Sequence, residues 1–395
     1  MPSYACNFNC SYCYQKSYET PKHAQQQATL AAFFDYVDSQ FAGRKKYVTL
    51  FGGEPLLPNE SSRQIAERGL DLAIVTNGYH LESYLDIIAR GRIREIQVTL
   101  DGPKAIHDGR RHLVSGGSTF DAVVAGVDAA LARNLAINLR TVIDRDNLPA
   151  YIELARLAIE RGWTDHPKFK TQIGRNYELH ECQVGRDRLY SRLELHQDLY
   201  RLAIEHPEVL RFHRPPFSVA CYLSDNAKLP SPMFDACPGT KTQWAFDYTG
   251  HIYSCTATVS KVDESLGTFY PRAKLDADKV ECWAERDVLA IGQCRSCELQ
   301  LACGGGCGSV AKNQSGTATA PDCRPVRGDR LHFSSCGGGG QVNKSLVARR
   351  TAQPAKIPAA VNIASRIPIR LSPAMAPAAA GTSWGLAAAD RLRTS

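Results

Sequence analysis

The chain has no stretch approaching the run of about 18 apolar residues that a membrane span requires. Its opening residues, Met1-Pro2-Ser3-Tyr4-Ala5-Cys6, hold no basic segment followed by an apolar one, so no secretory signal is visible. No internal repeat is evident. The 11 histidines are scattered without metal-ligand spacing; His107, His251 and His332 lie near motifs, but lone histidines are usually structural. The larger part of the chain also lacks net charge. There are 47 basic and 40 acidic residues in total, but eight of the basic ones (Lys344, Arg349, Arg350, Lys356, Arg366, Arg370, Arg391, Arg393) and one acid, Asp390, follow Gly337. Residues 1–336 therefore carry thirty-nine of each sign, and nothing there argues for a nucleic-acid surface. These absences point away from nucleic acid and membrane and toward a cytoplasmic, reducing setting, where cysteines are more often metal ligands than disulfides.

The 395 residues suffice for two ordinary domains, or one barrel with an appended domain. β-rich runs at Tyr47–Phe51, Leu72–Thr76, Glu95–Leu100, Ile137–Ile143 and Phe169–Ile173 alternate with helical patterns at about 60–69, 81–91, 119–133 and 148–161. Within one of these, Phe120, Val123, Val124, Val127 and Ala130 recur at helical spacing. Regular alternation predicts a parallel sheet or barrel. Residues 184–206 read as a polar connecting helix. Beyond Pro230 the chain is cysteine-rich and carries a hairpin signal over Trp244–Tyr253. After Cys336 comes a Gly run and then an Ala-, Pro-, Arg- and Ser-rich segment that cannot bury a core, so disorder is expected there.

Cys6, Cys10 and Cys13 form C-x3-C-x2-C. Three soft thiolates on one tight loop can bind three irons of a [4Fe–4S] cube and leave the fourth open to another ligand. Zinc and buried thiols are the alternatives, although structural zinc usually takes four protein ligands. Three polar or glycine clusters follow successive strands: Gly52-Gly53-Glu54-Pro55, Val75-Thr76-Asn77-Gly78 and Val98-Thr99-Leu100-Asp101-Gly102-Pro103. In a parallel barrel those strand ends converge on one mouth. One such turn is ordinary; three, downstream of an open-sited cysteine loop, mark a site.

C-x3-C-x-aromatic-C, here ending Tyr12-Cys13, together with Gly52-Gly53-Glu54-Pro55, resembles the radical SAM superfamily over roughly residues 1–180. The resemblance implies a partial (β/α)6 barrel in an α/β fold, in which the unique iron is chelated by S-adenosylmethionine (SAM). It implies that Gly52, Gly53 and Glu54 hold the methionine amine and that Tyr12 packs near the adenine. Thr76, Asn77, Thr99 and Asp101 would line the SAM pocket, and Arg140 is a further candidate for the SAM carboxylate. Only five residues precede Cys6, too few for the family's first strand, so that strand is expected to be missing or truncated.

A second set reads Cys237-x12-Gly250-x4-Cys255, then Cys294-x2-Cys297-x5-Cys303-x3-Cys307, then Cys323. It resembles the SPASM extension of radical SAM enzymes, a small Cys-rich α+β domain. A zinc ribbon is the alternative, but its knuckles are usually about 15–20 residues apart and the x5 gap is too short. The resemblance implies two auxiliary [4Fe–4S] clusters. One would be held by Cys294, Cys297, Cys303 and Cys323. The other would be held by Cys237, Cys255 and Cys307, with an open iron or a ligand borrowed from Cys221 or Cys282, because Gln243 stands where some relatives add a cysteine. Buried or incidental thiols remain the plainer reading for Cys182, Cys221, Cys282 and Cys336. The expected organisation is a radical SAM core over 1–180, a helical connection over 181–235, a SPASM domain over 236–336 and a basic tail over 337–395.

By the same resemblance, a reduced cluster cleaves SAM to a deoxyadenosyl radical that abstracts hydrogen from the substrate. That substrate is expected to be a peptide or protein, matured by cross-linking or oxidation, with an electron donor such as a flavodoxin or ferredoxin. The run Leu100–Asp108 also looks like the anaerobic sulfatase-maturating branch. That branch places an acidic residue after the second SPASM cysteine, and Cys255 is followed by Thr256. The chain has no room for a leader-binding domain before the barrel, so a separate partner or another docking surface would be needed. A non-catalytic iron–sulfur electron carrier or sensor is the rival from another class; it leaves Gly52-Gly53-Glu54 unexplained.

Overall fold

The computed structural model describes residues 1–17, 27–57, 60–175, 188–214, 226–228 and 230–323. Cys182, Cys221, Cys336 and the basic tail lie outside the described residues. Five parallel strands, β1 (Val48–Leu50), β2 (Asp71–Thr76), β3 (Arg92–Thr99), β4 (Ile137–Ile143) and β5 (Phe169–Arg175), lie side by side in sequence order. Helices α2 (Glu60–Glu67), α3 (Leu81–Ile88), α5 (Phe120–Ala132) and α6 (Tyr151–Glu160) cross from each strand to the next. This is the alternation read from the sequence, with ends shifted by a few residues. Interior β4 shows why a continuous apolar run was readable as a strand. Six of its seven residues are buried, which is what helices covering both faces of a parallel sheet demand. The core joins Leu72, Ile74, Ile96, Val98, Ile137 and Leu139 of the strands to Leu81, Leu85, Ile88, Val123 and Val127 of the helices.

Among the described residues no strand precedes the cysteine loop, and the sheet starts at β1. Two helices in this half were not expected. The first is α1 (Gln27–Gln40), and the second is α4 (Lys104–Arg110), inserted before α5. The connecting helix is shorter than expected, α7 (Arg192–Glu205), opened by a capping box between Ser191 and Glu194, and a short α8 (Val209–Phe212) follows.

The expected hairpin is present as antiparallel β6 (Ala245–Phe246) and β7 (His251–Tyr253), extended by β8 (Gly267–Thr268) and β9 (Lys274–Leu275) into a four-stranded sheet. Asp247 closes the hairpin turn. One oxygen accepts from Thr249 N, Thr249 Oγ1 and His251 N, and the other accepts from the hydroxyls of Tyr4 and Tyr253. Helix α1 lays Phe33 and Tyr36 against Phe246 and Phe269, and these edge-on ring contacts join the small sheet to the parallel one. Helices Ala277–Ala284, Gln300–Cys303 and Gly308–Ser315 carry or flank the later cysteines. Among the described residues no helix is long and apolar enough to cross a membrane.

Candidate active site

The cysteine loop is held by its neighbours more than by itself. Just past α4 the chain runs antiparallel to it: Asn9 N donates to His112 O, Ser11 N to Arg110 O, and Val114 N to Asn7 O, with Phe8 opposite Leu113. From the other side, Glu54 N donates to Ala5 O and Gly53 N to the Gln15 side chain. Gly53 sits at φ +53, and a Cβ there would collide with the Ala5 carbonyl. Only glycine lets the turn after β1 approach the loop this closely.

Glu54 is fully buried, and its carboxylate binds the next strand end. Oε1 accepts from Thr76 Oγ1 at 2.6 Å and Leu56 N at 2.8 Å, and Oε2 accepts from Asn77 N at 2.6 Å. Burial pushes its carboxyl above the ordinary value, and the three hydrogen bonds oppose that. Asn77 in turn reaches the loop, donating to Asn7 Oδ1 at 2.8 Å and lying 3.9 Å from Cys6 Sγ.

Asp101 does for β3 what Glu54 does for β1. Its Oδ1 accepts from Val142 N, and its Oδ2 accepts from the Tyr12 hydroxyl at 2.6 Å, with Arg110 Nε at 3.4 Å. Arg110 Nη1 then contacts both oxygens of Asp144 at 2.9 Å, and Asn147 bridges the carbonyls of Asp101 and Val142. Arg111 donates to the Tyr12 hydroxyl at 2.7 Å. His107 Nδ1 accepts from Asp101 N, so its proton sits on Nε2; burial and the Arg111 charge lower its pKa to about 4. Thr99 is buried at the end of β3. Arg140 lies across from it on β4, packed over Gly174 of β5.

The predicted SAM-pocket positions Tyr12, Gly52, Gly53, Glu54, Thr76, Asn77, Thr99 and Asp101 thus gather at the carboxyl ends of β1, β2 and β3 around the cysteine loop, where open parallel sheets bind ligands. Arg110, Arg111, Asp144 and Asn147 join them and were missed. Asp144 directly follows β4 and Asp101 comes two residues after β3, so the strand-end rule, carried one strand further, would have found it. Arg110 ends α4, the helix that was not expected, and Arg111 follows it directly.

The thiols fall into three groups. Desolvation raises Cys6 to about 11, and Glu54, Cys10 and Cys13 add to the rise. Burial raises Cys255 to about 11, with Cys237 and Cys307 adding. Cys294 is raised by burial and by Cys323, Cys303 and Cys297. Cys282 packs in the apolar cluster of Cys237, Leu266, Trp283 and Ala318. Among the described residues no three Cys, His, Asp or Glu side chains gather tightly enough for one metal ion. Thiols that raise each other's pKa repel as thiolates, and an iron–sulfur core supplies the positive charge that relieves this. The residues present therefore fit such clusters.

Gly304, Gly305 and Gly306 lie at φ +61, +72 and +69, a left-handed run in which a Cβ would collide with Ala236, Ile291 or Asp322, and they turn the chain between Cys303 and Cys307. Arg286 fixes this turn from beneath. It has no exposed side-chain surface and donates to Gly305 O, Ala318 O and Asp235.

Residues 1–158 match the model of the Radical SAM superfamily. Among curated proteins, the chain is 28% identical over 163 residues to a GTP 3',8-cyclase of Campylobacter jejuni, covering 38% of this chain and 49% of that protein. It is 30% identical over 137 residues to a GTP 3',8-cyclase of Actinobacillus pleuropneumoniae, covering 32% and 37%. The chain spans about half the length, or less, of these curated relatives. Among solved structures, native anSMEcpe with bound AdoMet superposes with TM-score 0.60 at 16% identity, over 82% of this chain and 92% of that one. Streptococcus suis SuiB bound to S-adenosylmethionine superposes with TM-score 0.56 at 16% identity, over 82% and 76%. With the cysteine loop seated at the strand ends and this match over the same residues, residues 1–158 form a Radical SAM domain, a family whose cofactors are SAM and a [4Fe–4S] cluster.

Proposed function

We propose that the protein reductively cleaves SAM and uses the deoxyadenosyl radical to take hydrogen from a peptide or protein, leading to a cross-link or an oxidised residue. The observation that carries this reading is the Glu54 latch, which holds the Gly52-Gly53 turn, the end of β2 and the three-thiol loop together. An electron carrier or sensor has no use for such a turn beside its cysteines. Cys6, Cys10 and Cys13 would hold the cluster that, when bound, supplies one electron to SAM.

The chain's own residues then do the positioning. The backbone of Gly52 and Gly53 would take the methionine amine. The Glu54 carboxylate, with three protein hydrogen bonds already made, would act mainly by fixing that backbone. Tyr12, clamped between Asp101 and Arg111, would form one wall beside the adenine. Thr76, Asn77, Thr99 and Asp101 would line the rest. Cys294, Cys297, Cys303 and Cys323 would hold one auxiliary cluster, and Cys237, Cys255 and Cys307 another, in a domain over about 236–336 after a core over 1–180. These clusters are suited to accept the electron that a substrate radical must lose. A flavodoxin or ferredoxin is the donor class we expect.

Support for a peptide substrate comes from the fold neighbours, described as anSMEcpe with a bound Cp18Cys peptide and SuiB with precursor peptide SuiA. The curated relatives' name favours GTP instead, but they share only about a third of this chain. The test supplies the reconstituted, reduced protein with SAM and either backbone-deuterated cysteine-containing peptides or deuterated GTP. Deuterium passing from peptide into deoxyadenosine supports the proposal. Deuterium passing from GTP alone replaces it with the chemistry that the relatives' name states.

A further inference from the structure

Two arginines stand side by side where α4 ends, Arg110 as its last residue and Arg111 just past it, and only Arg110 pairs directly with a carboxylate. Arg110 takes Asp144 at 2.9 Å and Asp101 at 3.4 Å. Arg111 is 7% exposed, yet among the described residues it forms no ion pair within 4.0 Å, and its Nε has no hydrogen-bond partner. Its Nη1 donates to the Tyr12 hydroxyl at 2.7 Å, so Asp101 lies one hydroxyl away. Its guanidinium carbon is 5.6 Å from the centre of the Phe8 ring and 5.9 Å from that of Tyr12. Phe8 and Tyr12 flank Cys10 in the loop, and Arg111 is in electrostatic reach of the Cys10 thiol.

A buried charge without a direct counter-charge is costly, and it persists where the finished site supplies the missing sign. The backbone pairing of 110–114 with 7–11 leaves Arg111 little freedom to move away. Two aromatic faces suit a desolvated guanidinium, which reaches a hydroxyl with one arm of its fork.

We propose that Arg111 is the fixed counter-charge of the cysteine loop, a positioning residue that holds Tyr12 and raises the reduction potential of the cluster bound by Cys6, Cys10 and Cys13. The inference rests on the reading of that loop as a cluster site. Reduction by one electron, delivered by a flavodoxin- or ferredoxin-class donor and passed on to SAM, adds one negative charge to the cluster. A guanidinium fixed beside it in a poorly solvated site stabilises the reduced form more than the oxidised form.

The experiment is a redox titration followed by electron paramagnetic resonance on the full chain, reconstituted with iron and sulfide and without SAM. The signal of the first cluster is the one lost in Cys10→Ala. In Arg111→Met and Arg111→Gln, with iron fully loaded, the ratio of reduced to oxidised first cluster at the wild-type midpoint should fall about tenfold, or ~59 mV for one electron. Arg111→Lys should stay within about twofold of wild type, because it keeps the charge. An unchanged midpoint in both neutral variants overturns the proposal. If SAM affinity then falls instead, Arg111 belongs to SAM and not to the cluster. Should the neutral variants fail to load the first cluster, loading by Arg111→Lys alone supports the charge role, and failure of Arg111→Lys as well overturns it in favour of packing. Deoxyadenosine formation by the wild type, measured in parallel, tests the function itself, so the two failures are distinguishable.

Discussion

The two cysteine-bearing regions place thiols by opposite means. In the first, Cys6, Cys10 and Cys13 are neighbours in sequence, and the fold supplies what surrounds them: Glu54, Asn77, Asp101 and the two arginines arrive from four separate segments. In the second, the thiols are spread from Cys237 to Cys323, and the fold must bring together the thiols themselves. A local ligand set survives damage elsewhere, whereas a dispersed set is only as secure as the packing that assembles it. Arg286, joined to Asp235, Gly305 and Ala318, is the clearest case.

The strongest expected break in this contrast is at the loop. Cys10→Ala should abolish deoxyadenosine formation and lower the iron content by about four of about twelve per chain, leaving the auxiliary iron in place. Arg286→Met should do the reverse. It leaves Asp235 paired with Lys241 alone and frees three carbonyl contacts. Leaving a buried charge uncompensated costs about 3–5 kcal/mol; because Lys241 remains, chemical denaturation should show a smaller loss, and the auxiliary iron should fall while the first cluster still loads.

The paired spacings made both regions visible from sequence, because metal ligation constrains the distance between cysteines more tightly than packing constrains apolar residues. The strands β1 to β5 were legible for a related reason: buried on both faces, they leave continuous apolar runs. Helix α1 was equally legible, with Leu30, Phe33, Phe34 and Val37 at helical spacing, but it was not assigned. Helix α4 was hidden, since Lys104–Arg110 holds polar residues and a glycine, and its buried side chains are His107 and Arg110. A burial pattern made of charges carries no hydropathy signal. The buried network around Asp101 was therefore half seen, with the carboxylate at the strand end found and its cations missed.

A smaller effect sharpens the contrast further. His107 belongs to the loop's support and takes its proton near 4 when folded, against 6.5 when free. Between those values the unfolded chain binds more protons, so its contribution is full above about pH 6.5 and is lost as pH falls toward 4. From pH 8 to pH 6 this amounts to about 0.8 kcal/mol. His107→Phe should flatten the pH dependence of the urea midpoint by that amount; His213, also lowered to about 4, should leave a residual slope of the same sign. The smallest expected change is at Cys282, which packs among apolar side chains. Cys282→Ala should leave the iron count and cluster spectrum unaltered, and a loss of iron would instead make it a ligand to the cluster of Cys237, Cys255 and Cys307.

The most direct test is anaerobic. The full chain is loaded with iron and sulfide, reduced and given SAM, and deoxyadenosine and methionine are measured against iron content in wild type and Cys10→Ala. The present account predicts deoxyadenosine and methionine in equal amounts from wild type at about twelve irons per chain, and neither from the variant. A wild-type protein fully loaded with iron that leaves SAM intact would contradict it and make the chain an iron–sulfur carrier or sensor built on this fold.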